Sequence, residues 1–489
     1  MTPYEILLSE SQERMLIIAK RGREDEVREV FAKWDVPCAQ IGQVTADGMM
    51  RVRNNGTVSA EIPAKPLAEE APLYSREAKP PAAVARGADP GTAISDRGHH
   101  DLSKIDNRES LRQLLSDPTI ASKNWVYRQY DHTVRTGTVV KPGSDAAVFY
   151  LREANKILAA TTDCNSLYCA LDPREGGRIA VAEAARNLTC AGAQPLAITD
   201  NLNFGNPYKP ENFWQLREAV EGVAEACGAL GTPVTGGNVS LYNESPAGVV
   251  DPTPTIAMVG LIEHERHITT QWFKNVGDAI VLIGAAAGVA DPGSIQGGKK
   301  AELREFGYNL GGSRYLKVCH GRKIGPVPRL DLEREIAVQN ATRDLIRAGL
   351  VKSAHDCSEG GLAVALAECC FNPDGLLGAQ VNLENCSSSR VGFAGDTPAS
   401  TDIATADLLF NESQSRIVLS VSASDLEKVL SNVSAKAVPH THIGFVRTEN
   451  FSITVNDEVL SWPIAELHDL WFNSIRRAVE SDSEPLPSL

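Results

Sequence analysis

Leu8-Ser9-Glu10-Ser11-Gln12-Glu13-Arg14-Met15-Leu16-Ile17 returns 402 residues later as Phe410-Asn411-Glu412-Ser413-Gln414-Ser415-Arg416-Ile417-Val418-Leu419. Downstream, Ile41-Gly42-Gln43-Val44 matches Ile443-Gly444-Phe445-Val446 at the same offset, with no gap. Between the two matches each copy carries an apolar strand-like run, an amphipathic stretch (Asp25 to Trp34; Ser424 to Val433) and then the Ile-Gly strand. One shared tetrapeptide could be chance, but two in register point to duplicated domains. The second Glu-Ser-Gln follows a long ordered-looking stretch that starts near Trp125, whereas the first has nine residues before it. A complete duplication would place about 280 further residues ahead of Met1, room for about two domains, so the first copy is expected to be truncated.

Outward from the repeat, the composition changes twice. Ala64 to Asp101 turns to Ala and Pro, with Pro66, Pro72, Pro80, Pro81 and Pro90, and reads as an extended inter-domain connector. Cys386 to Thr405 is rich in Ser, Thr and Gly and reads as a surface insertion. The tail from Ser481 to Leu489 is expected to be disordered. Elsewhere short β-branched runs alternate with helical patterns, such as Arg178 to Cys190 followed by Pro195-Leu196-Ala197-Ile198-Thr199, which argues an α/β or α+β class.

The 489 residues allow about three domains, and 43% hydrophobic with 22% charged residues is ordinary globular composition. The formal charge of −14 disfavours binding to nucleic acid or an acidic membrane surface, though a local basic pocket could still take a small phosphorylated ligand. Met1 to Arg14 carries Glu5, Glu10 and Glu13 where a targeting signal needs a basic and then an apolar segment, so a cytoplasmic location is expected. The cysteines are scattered. Their closest groupings, Cys164 with Cys169 and Cys369 with Cys370, lack zinc-site spacing and read as reduced, mostly buried thiols.

Several segments set polar residues beside apparent strands. Leu196 to Pro207 delivers Asp200 and then a loop held by Gly205 and Pro207; a carboxylate there suits Mg²⁺ or a nucleotide hydroxyl, and equally a turn. In Pro233 to Asn243, Gly236 and Gly237 follow a strand and could bring backbone amides to a phosphate, with Asn238 offering an oxygen to Mg²⁺ and Ser240 a hydroxyl. A Gly-Gly hairpin or bulge would use the same residues. His355-Asp356-Cys357-Ser358-Glu359-Gly360-Gly361 runs into an apolar helix that Asp356 or Ser358 would cap, leaving an anion site or a plain cap. Pro142-Gly143-Ser144-Asp145 is a generic turn into a strand. No Gly-x-x-x-x-Gly-Lys-Ser/Thr loop and no glutaminase nucleophile elbow occur.

Taken together, Met-Thr-Pro-Tyr-Glu with Leu-Ser-Glu-Ser-Gln-Glu-Arg-Met, Leu-Asp-Pro-Arg-Glu-Gly-Gly, Asp-Asn-Leu-Asn-Phe-Gly-Asn-Pro, Thr-Gly-Gly-Asn-Val-Ser-Leu-Tyr-Asn and His-Asp-Cys-Ser-Glu-Gly-Gly-Leu-Ala are distinctive. The chain resembles the C-terminal part of the small, bacterial-type synthetase subunits of the phosphoribosylformylglycinamidine synthase family, within the aminoimidazole ribonucleotide synthetase-like superfamily. The resemblance implies duplicated N- and C-terminal α/β domains, the N-terminal ones pairing with each other. Residues 1–70 would be the end of the first C-terminal-type domain, 71–118 a linker, 119–265 the second N-terminal-type domain, 275–475 the second C-terminal-type domain and 481–489 a tail.

It also implies ATP-dependent conversion of formylglycinamide ribonucleotide to the amidine, with ammonia from a separate glutaminase subunit, a small accessory subunit and the missing N-terminal half as further partners. By matching positions, Asp200 and Gly237 resemble ATP contacts, Asn238 a Mg²⁺ ligand, and Ser240 together with Glu10, Ser11 and Gln12 substrate contacts. No catalytic base is assigned, since the family's catalytic histidines belong to the half that has no counterpart here. Other readings are a non-catalytic scaffold of the same fold, or another ATP-dependent synthetase of the superfamily, which as single-unit enzymes would not carry the repeat.

Overall fold

The computed structural model describes residues 2–9, 14–81, 106–246, 248–284, 310–384 and 401–481. Glu10, Ser11 and Gln12 lie outside the described residues, as do 482–489 and most of Cys386 to Thr405. The chain divides into two units, Met1–Ser75 and Arg76–Leu489.

In the first unit, α1 (Pro3–Leu8) opens on a capping box in which Thr2 Oγ1 accepts from the Glu5 N–H at 3.3 Å and the Thr2 N–H donates to Glu5 Oε2 at 2.6 Å. Next come α2 (Glu24–Lys33), the antiparallel hairpin β1 (Met49–Asn54) and β2 (Thr57–Pro63), and α3 (Ala64–Glu69). The repeat holds at the level of structure: 402 residues beyond α2 lies a helix with the corresponding bounds, Leu426–Ala435. The residues that follow each helix, Asp35 and Ala437, both turn left-handed, at φ 53° and 54°.

The strands expected around Met15–Ile18 and Ile41–Val44 do not form, and Met15, Leu16, Ile18, Ile41 and Val44 are exposed. Their second-copy counterparts do form strands, each hydrogen-bonded to a neighbour on both sides. A strand is completed only by such neighbours, and in the first copy the described residues supply none.

The second unit begins with α4 (Asn107–Ser116), capped by Asp106, whose carboxylate accepts from the Arg108 N–H at 2.9 Å and the Glu109 N–H at 3.3 Å. Leu111, Leu114 and Leu115 are fully buried from one face of this helix, and the Arg108 carbonyl accepts from Trp462 Nε1 at 3.2 Å. The expected linker 71–118 is thus corrected: its last part is core of the C-terminal-type domain. Its Lys79 is also fixed, donating its N–H to the Pro210 carbonyl at 3.1 Å.

A six-stranded sheet follows, built from β3 (Thr138–Val140), β4 (Ala147–Leu151), β5 (Lys156–Asp163), β6 (Gln194–Asn203), β7 (Val234–Ser240) and β10 (Thr253–Ile262), with the small hairpin β8 (Glu244–Ser245) and β9 (Gly248–Val249) between the last two. Its order is β3-β4-β5-β10-β6-β7, antiparallel except for the parallel pair β6/β7. One face is covered by α6 (Pro173–Cys190) and α7 (Pro210–Leu230), which follow the short α5 (Ser166–Leu171). Asp172 caps α6 and Pro173 starts it. The Gly-Gly of that helix has a packing cause: a Cβ on Gly177 would sit 2.4 Å from the Ala219 carbonyl oxygen, and one on Gly222 2.0 Å from that of Arg174, so the two helix backbones touch. The other face, with Ala160, Ala257 and Val259, has no helix over it among the described residues.

The last domain is a seven-stranded sheet of order β12-β14-β11-β15-β13-β16-β17, with β11 (Ala279–Gly284), β12 (Ser353–Asp356), β13 (Gly378–Asn382), β14 (Arg416–Val421), β15 (His440–Arg447), β16 (Asn450–Val455) and β17 (Glu458–Pro463). Its helices are α8 (Arg314–His320), α9 (Leu332–Arg347), α10 (Gly361–Cys370), α11 (Thr401–Phe410), α12 (Leu426–Ala435) and α13 (Ile464–Ser481). The central strands β11 and β14 are buried along their whole length, between a core with α4 and α10 and a core with α9 and α12. Thr405, expected at the end of a surface insertion, is buried within α11.

Candidate functional site

Four of the residues singled out in the sequence meet on the parallel pair β6/β7. Asp200 is in register with Gly237, Asn201 with Asn238 and Asn203 with Ser240. Two expectations change. Asp200 does not end its strand, because β6 stays hydrogen-bonded to β10 and β7 as far as Asn203. Gly236 and Gly237 form neither a loop nor a hairpin; they lie inside β7, the edge strand of the sheet.

The two-residue alternation of β6 divides the site between faces. Ile198, Asp200 and Leu202 point toward the helices, where Ile198 and Leu202 are buried, while Thr199, Asn201 and Asn203 point to the uncovered face. The Asp200 carboxylate lies over Gly237, where a Cβ would come 2.1 Å from Oδ1. Burial raises its pKa above the usual value.

On the other face, Asn238 Nδ2 donates to Asn201 Oδ1 at 3.3 Å, and Ser240 Oγ donates to Asn243 Oδ1 at 3.3 Å. Thr199 Oγ1 ties the two strands by donating to the Gly236 carbonyl at 2.9 Å. Just beyond Ser240, Tyr242 is held in the left-handed region at φ 63°. A molecule touching all four candidates must straddle the free edge of β7. Asn201, Asn203 and Asn243 are the neighbours that sequence reasoning did not assign; the alternation in Thr-Asp-Asn-Leu-Asn carries the signal for the first two.

The second Glu-Ser-Gln is built into the fold. Glu412 Oε1 accepts the Arg314 and Gly360 N–H groups, each at 2.8 Å, and its Oε2 accepts the Tyr168 hydroxyl. Gln414 Oε1 accepts from Arg186 at 3.1 Å. Burial pushes the Glu412 carboxyl up to about 7. Arg186, on α6 and wholly buried, also donates to Glu335 at 2.9 Å and to Asp356.

Neither Asp356 nor Ser358 caps α10. Gly360 is its N-cap and makes no side-chain cap, so the expected cap is corrected. Asp356 instead ends β12 as an ion-pair partner, and His355 bonds Asp145 at 2.8 Å and Glu368 at 3.2 Å, which gives the Pro-Gly-Ser-Asp turn its role as a strut between the domains.

No group of three His, Cys, Asp or Glu side chains suited to a metal gathers among the described residues. Asn238 is exposed and commits its amide nitrogen to Asn201, so its side-chain oxygen is the atom that would serve a hard cation such as Mg²⁺. A cavity of about 380 Å³ opens on the β3–β4 side of the same sheet, lined by His132, Arg135, Phe149 and Arg152 among others, and includes none of the candidates. No helix among the described residues is long and apolar enough to cross a membrane.

Residues 143–262 match the family model for the AIR synthase related protein, N-terminal domain, and residues 1–54 and 275–456 match the one for the C-terminal domain. The chain is 43% identical over 487 residues to the phosphoribosylformylglycinamidine synthase subunit PurL of Alkaliphilus metalliredigens, covering 98% of this chain and 60% of that protein. It thus spans about three fifths of the length of that curated relative. Among solved structures, Thermotoga maritima PurL complexed with FGAR superimposes with a TM-score of 0.54 at 18% identity, over 75% of this chain and 54% of that one. T. maritima phosphoribosylformylglycinamidine synthase II gives 0.52 at 17%, over 75% and 52%. With the N-terminal model matched once and the C-terminal model matched in both copies of the repeat, the chain belongs to the AIR synthase related protein family.

Proposed function

We propose that the chain is part of an ATP-dependent carbon–nitrogen ligase of de novo purine biosynthesis, which turns formylglycinamide ribonucleotide and ammonia into formylglycinamidine ribonucleotide, ADP and phosphate. The observation that carries this reading is the gathering of Asp200, Gly237, Asn238 and Ser240 on adjacent parallel strands of a chain similar to a PurL subunit. In the proposed reaction the substrate's amide oxygen attacks the γ-phosphorus of ATP and ADP leaves. Ammonia then adds to the imino carbon and phosphate departs. Asp200, beside the bare backbone of Gly237, contacts the nucleotide, and Ser240 offers its hydroxyl to the substrate. Mg²⁺ would neutralise charge on the phosphates, with Asn238 Oδ1 as one of its oxygens.

A separate glutaminase subunit supplies the ammonia in this reading, a small accessory subunit joins it, and the location is the cytoplasm. The uncovered face of the six-stranded sheet takes a counterpart N-terminal-type domain, which contributes the remaining ligands. One neutral oxygen does not replace carboxylates around Mg²⁺, so the chain by itself is inactive.

The test is ADP release in the presence of formylglycinamide ribonucleotide, ammonia and Mg²⁺-ATP, with the chain alone and co-expressed with a counterpart half. Turnover is expected only from the pair. Asn238→Ala should lower it with an unchanged Tm, since this exposed side chain makes a single hydrogen bond. Turnover by the chain alone overturns its incompleteness, and none from a well-folded pair overturns the ligase reading in favour of a scaffold.

A further inference from the structure

The cysteine pair that spacing set apart meets in space. Asn165 caps α5, its Oδ1 accepting the N–H groups of Leu167 and Tyr168, each at 3.1 Å. That cap puts Cys164 just before the helix and Cys169 four positions into it, the two places whose side chains close over a helix start. This pairing of the positions before the cap and in the first turn brings the two side chains side by side. Cys169 is fully buried against α6, where a Cβ on Gly176 would lie 2.7 Å from its Sγ, while Cys164 is half-buried. The neighbouring Cys164 thiol, then burial, then Asp172 and Asp251 hold the Cys169 thiol well above its ordinary range. Cys164 is therefore the sulfur an outside reagent reaches, and Cys169 the one already in place behind it.

We propose that Cys164 and Cys169 form a thiol–disulfide exchange site that a low-molecular-weight disulfide such as oxidised glutathione closes into an internal disulfide. The Cys164 thiol gives its proton to solvent and the thiolate attacks one sulfur of the reagent. The reagent's S–S bond breaks, one glutathione leaves as thiolate, and the other stays bonded to Cys164. Cys169 then loses its proton and attacks the Cys164 sulfur, and the second glutathione leaves. Two protein thiols are oxidised and one glutathione disulfide is reduced to two thiols. The bond ties the segment before the cap to the first turn of α5. Tyr168, the residue before Cys169, donates its hydroxyl to Glu412, so oxidation fixes one of the links between the two domains.

The full chain is incubated with oxidised glutathione at mildly alkaline pH, quenched in acid and mapped by peptide mass. The 164–169 segment should lose the mass of two hydrogens and carry no glutathione, and hydrogen exchange at the capped Leu167 and Tyr168 amides should slow. Cys169→Ser should leave a stable glutathione adduct on Cys164, and Cys164→Ser should leave Cys169 unmodified. The exposed Cys38 reports that the reagent is active. A lasting adduct on Cys164 of the unaltered chain, or no reaction there while Cys38 is modified, overturns the proposal.

Discussion

Gly237→Ala should strike one side chain and spare its surroundings. The new Cβ would lie 2.1 Å from Asp200 Oδ1, 2.7 Å from its Cγ and 2.9 Å from its carbonyl oxygen, against the roughly 3.5 Å that such atoms keep. The carboxylate must therefore withdraw by more than an ångström and leave its place over β7. Turning it off its rotamer costs about 0.5–1.5 kcal/mol, and easing the backbone contact brings the total into the range of about 1–3 kcal/mol. Gly236 is the internal control, since a Cβ there meets nothing within 4 Å and its backbone is not left-handed. Urea unfolding of the chain should show Gly237→Ala destabilised by that amount and Gly236→Ala within about 0.5 kcal/mol of the parent. Adding Asp200→Ala to Gly237→Ala should recover part of the loss, because the worst contact is gone. Equal destabilisation by the two glycine changes, or no recovery in the double variant, would refute the claim that Asp200 occupies the space Gly237 leaves.

The two copies of Glu-Ser-Gln should part company. Gln12→Ala should raise the KM for formylglycinamide ribonucleotide in a complemented enzyme, while Gln414→Ala should lower stability by about 1–3 kcal/mol, because it strips a buried acceptor from Arg186; equal KM effects at both copies would count against placing the substrate at the first. Glu412 titrates at about 7 in the fold against 4.5 otherwise, so the folded chain binds its proton more tightly and stability falls as pH rises from 4.5 through 7. The contribution is on the order of 3 kcal/mol, and Glu412→Gln, read by urea unfolding across that window, should flatten the slope; an unchanged slope would refute it.

The duplication was legible because its signals are local: short identical words and an amphipathic stretch at a fixed offset. The beginnings of β6 and β7 were legible for the same reason, although their polar ends read as loops. Their division of labour was not. Asp200 and Asn238 both look like loop residues until the register shows that one faces the helices and the other the open side. The strands around Met15 and Ile41 failed in the opposite way, since an apolar run becomes a strand only when neighbours distant in sequence complete its ladder. The Asn107–Ser116 helix was hidden by the Ala and Pro composition before it, although Leu111, Leu114 and Leu115 carry helical spacing. Arg186 gave no sign at all. A buried arginine is defined by its partners, and Glu335, Asp356 and Gln414 lie 149, 170 and 228 residues away.

Those long reaches bear on how the second unit comes apart. Arg186 is anchored in the helix layer of one sheet, and its partners belong to the other domain. Tyr168 with Glu412, Asp145 with His355 and Thr189 with Arg343 cross the same boundary. Separating the domains would break this whole set of buried ion pairs and hydrogen bonds at once and open the apolar surface packed around them to water. What reads in sequence as two family domains should therefore melt as one cooperative block, and a protease nick in the connection between them should leave the halves clasped rather than free.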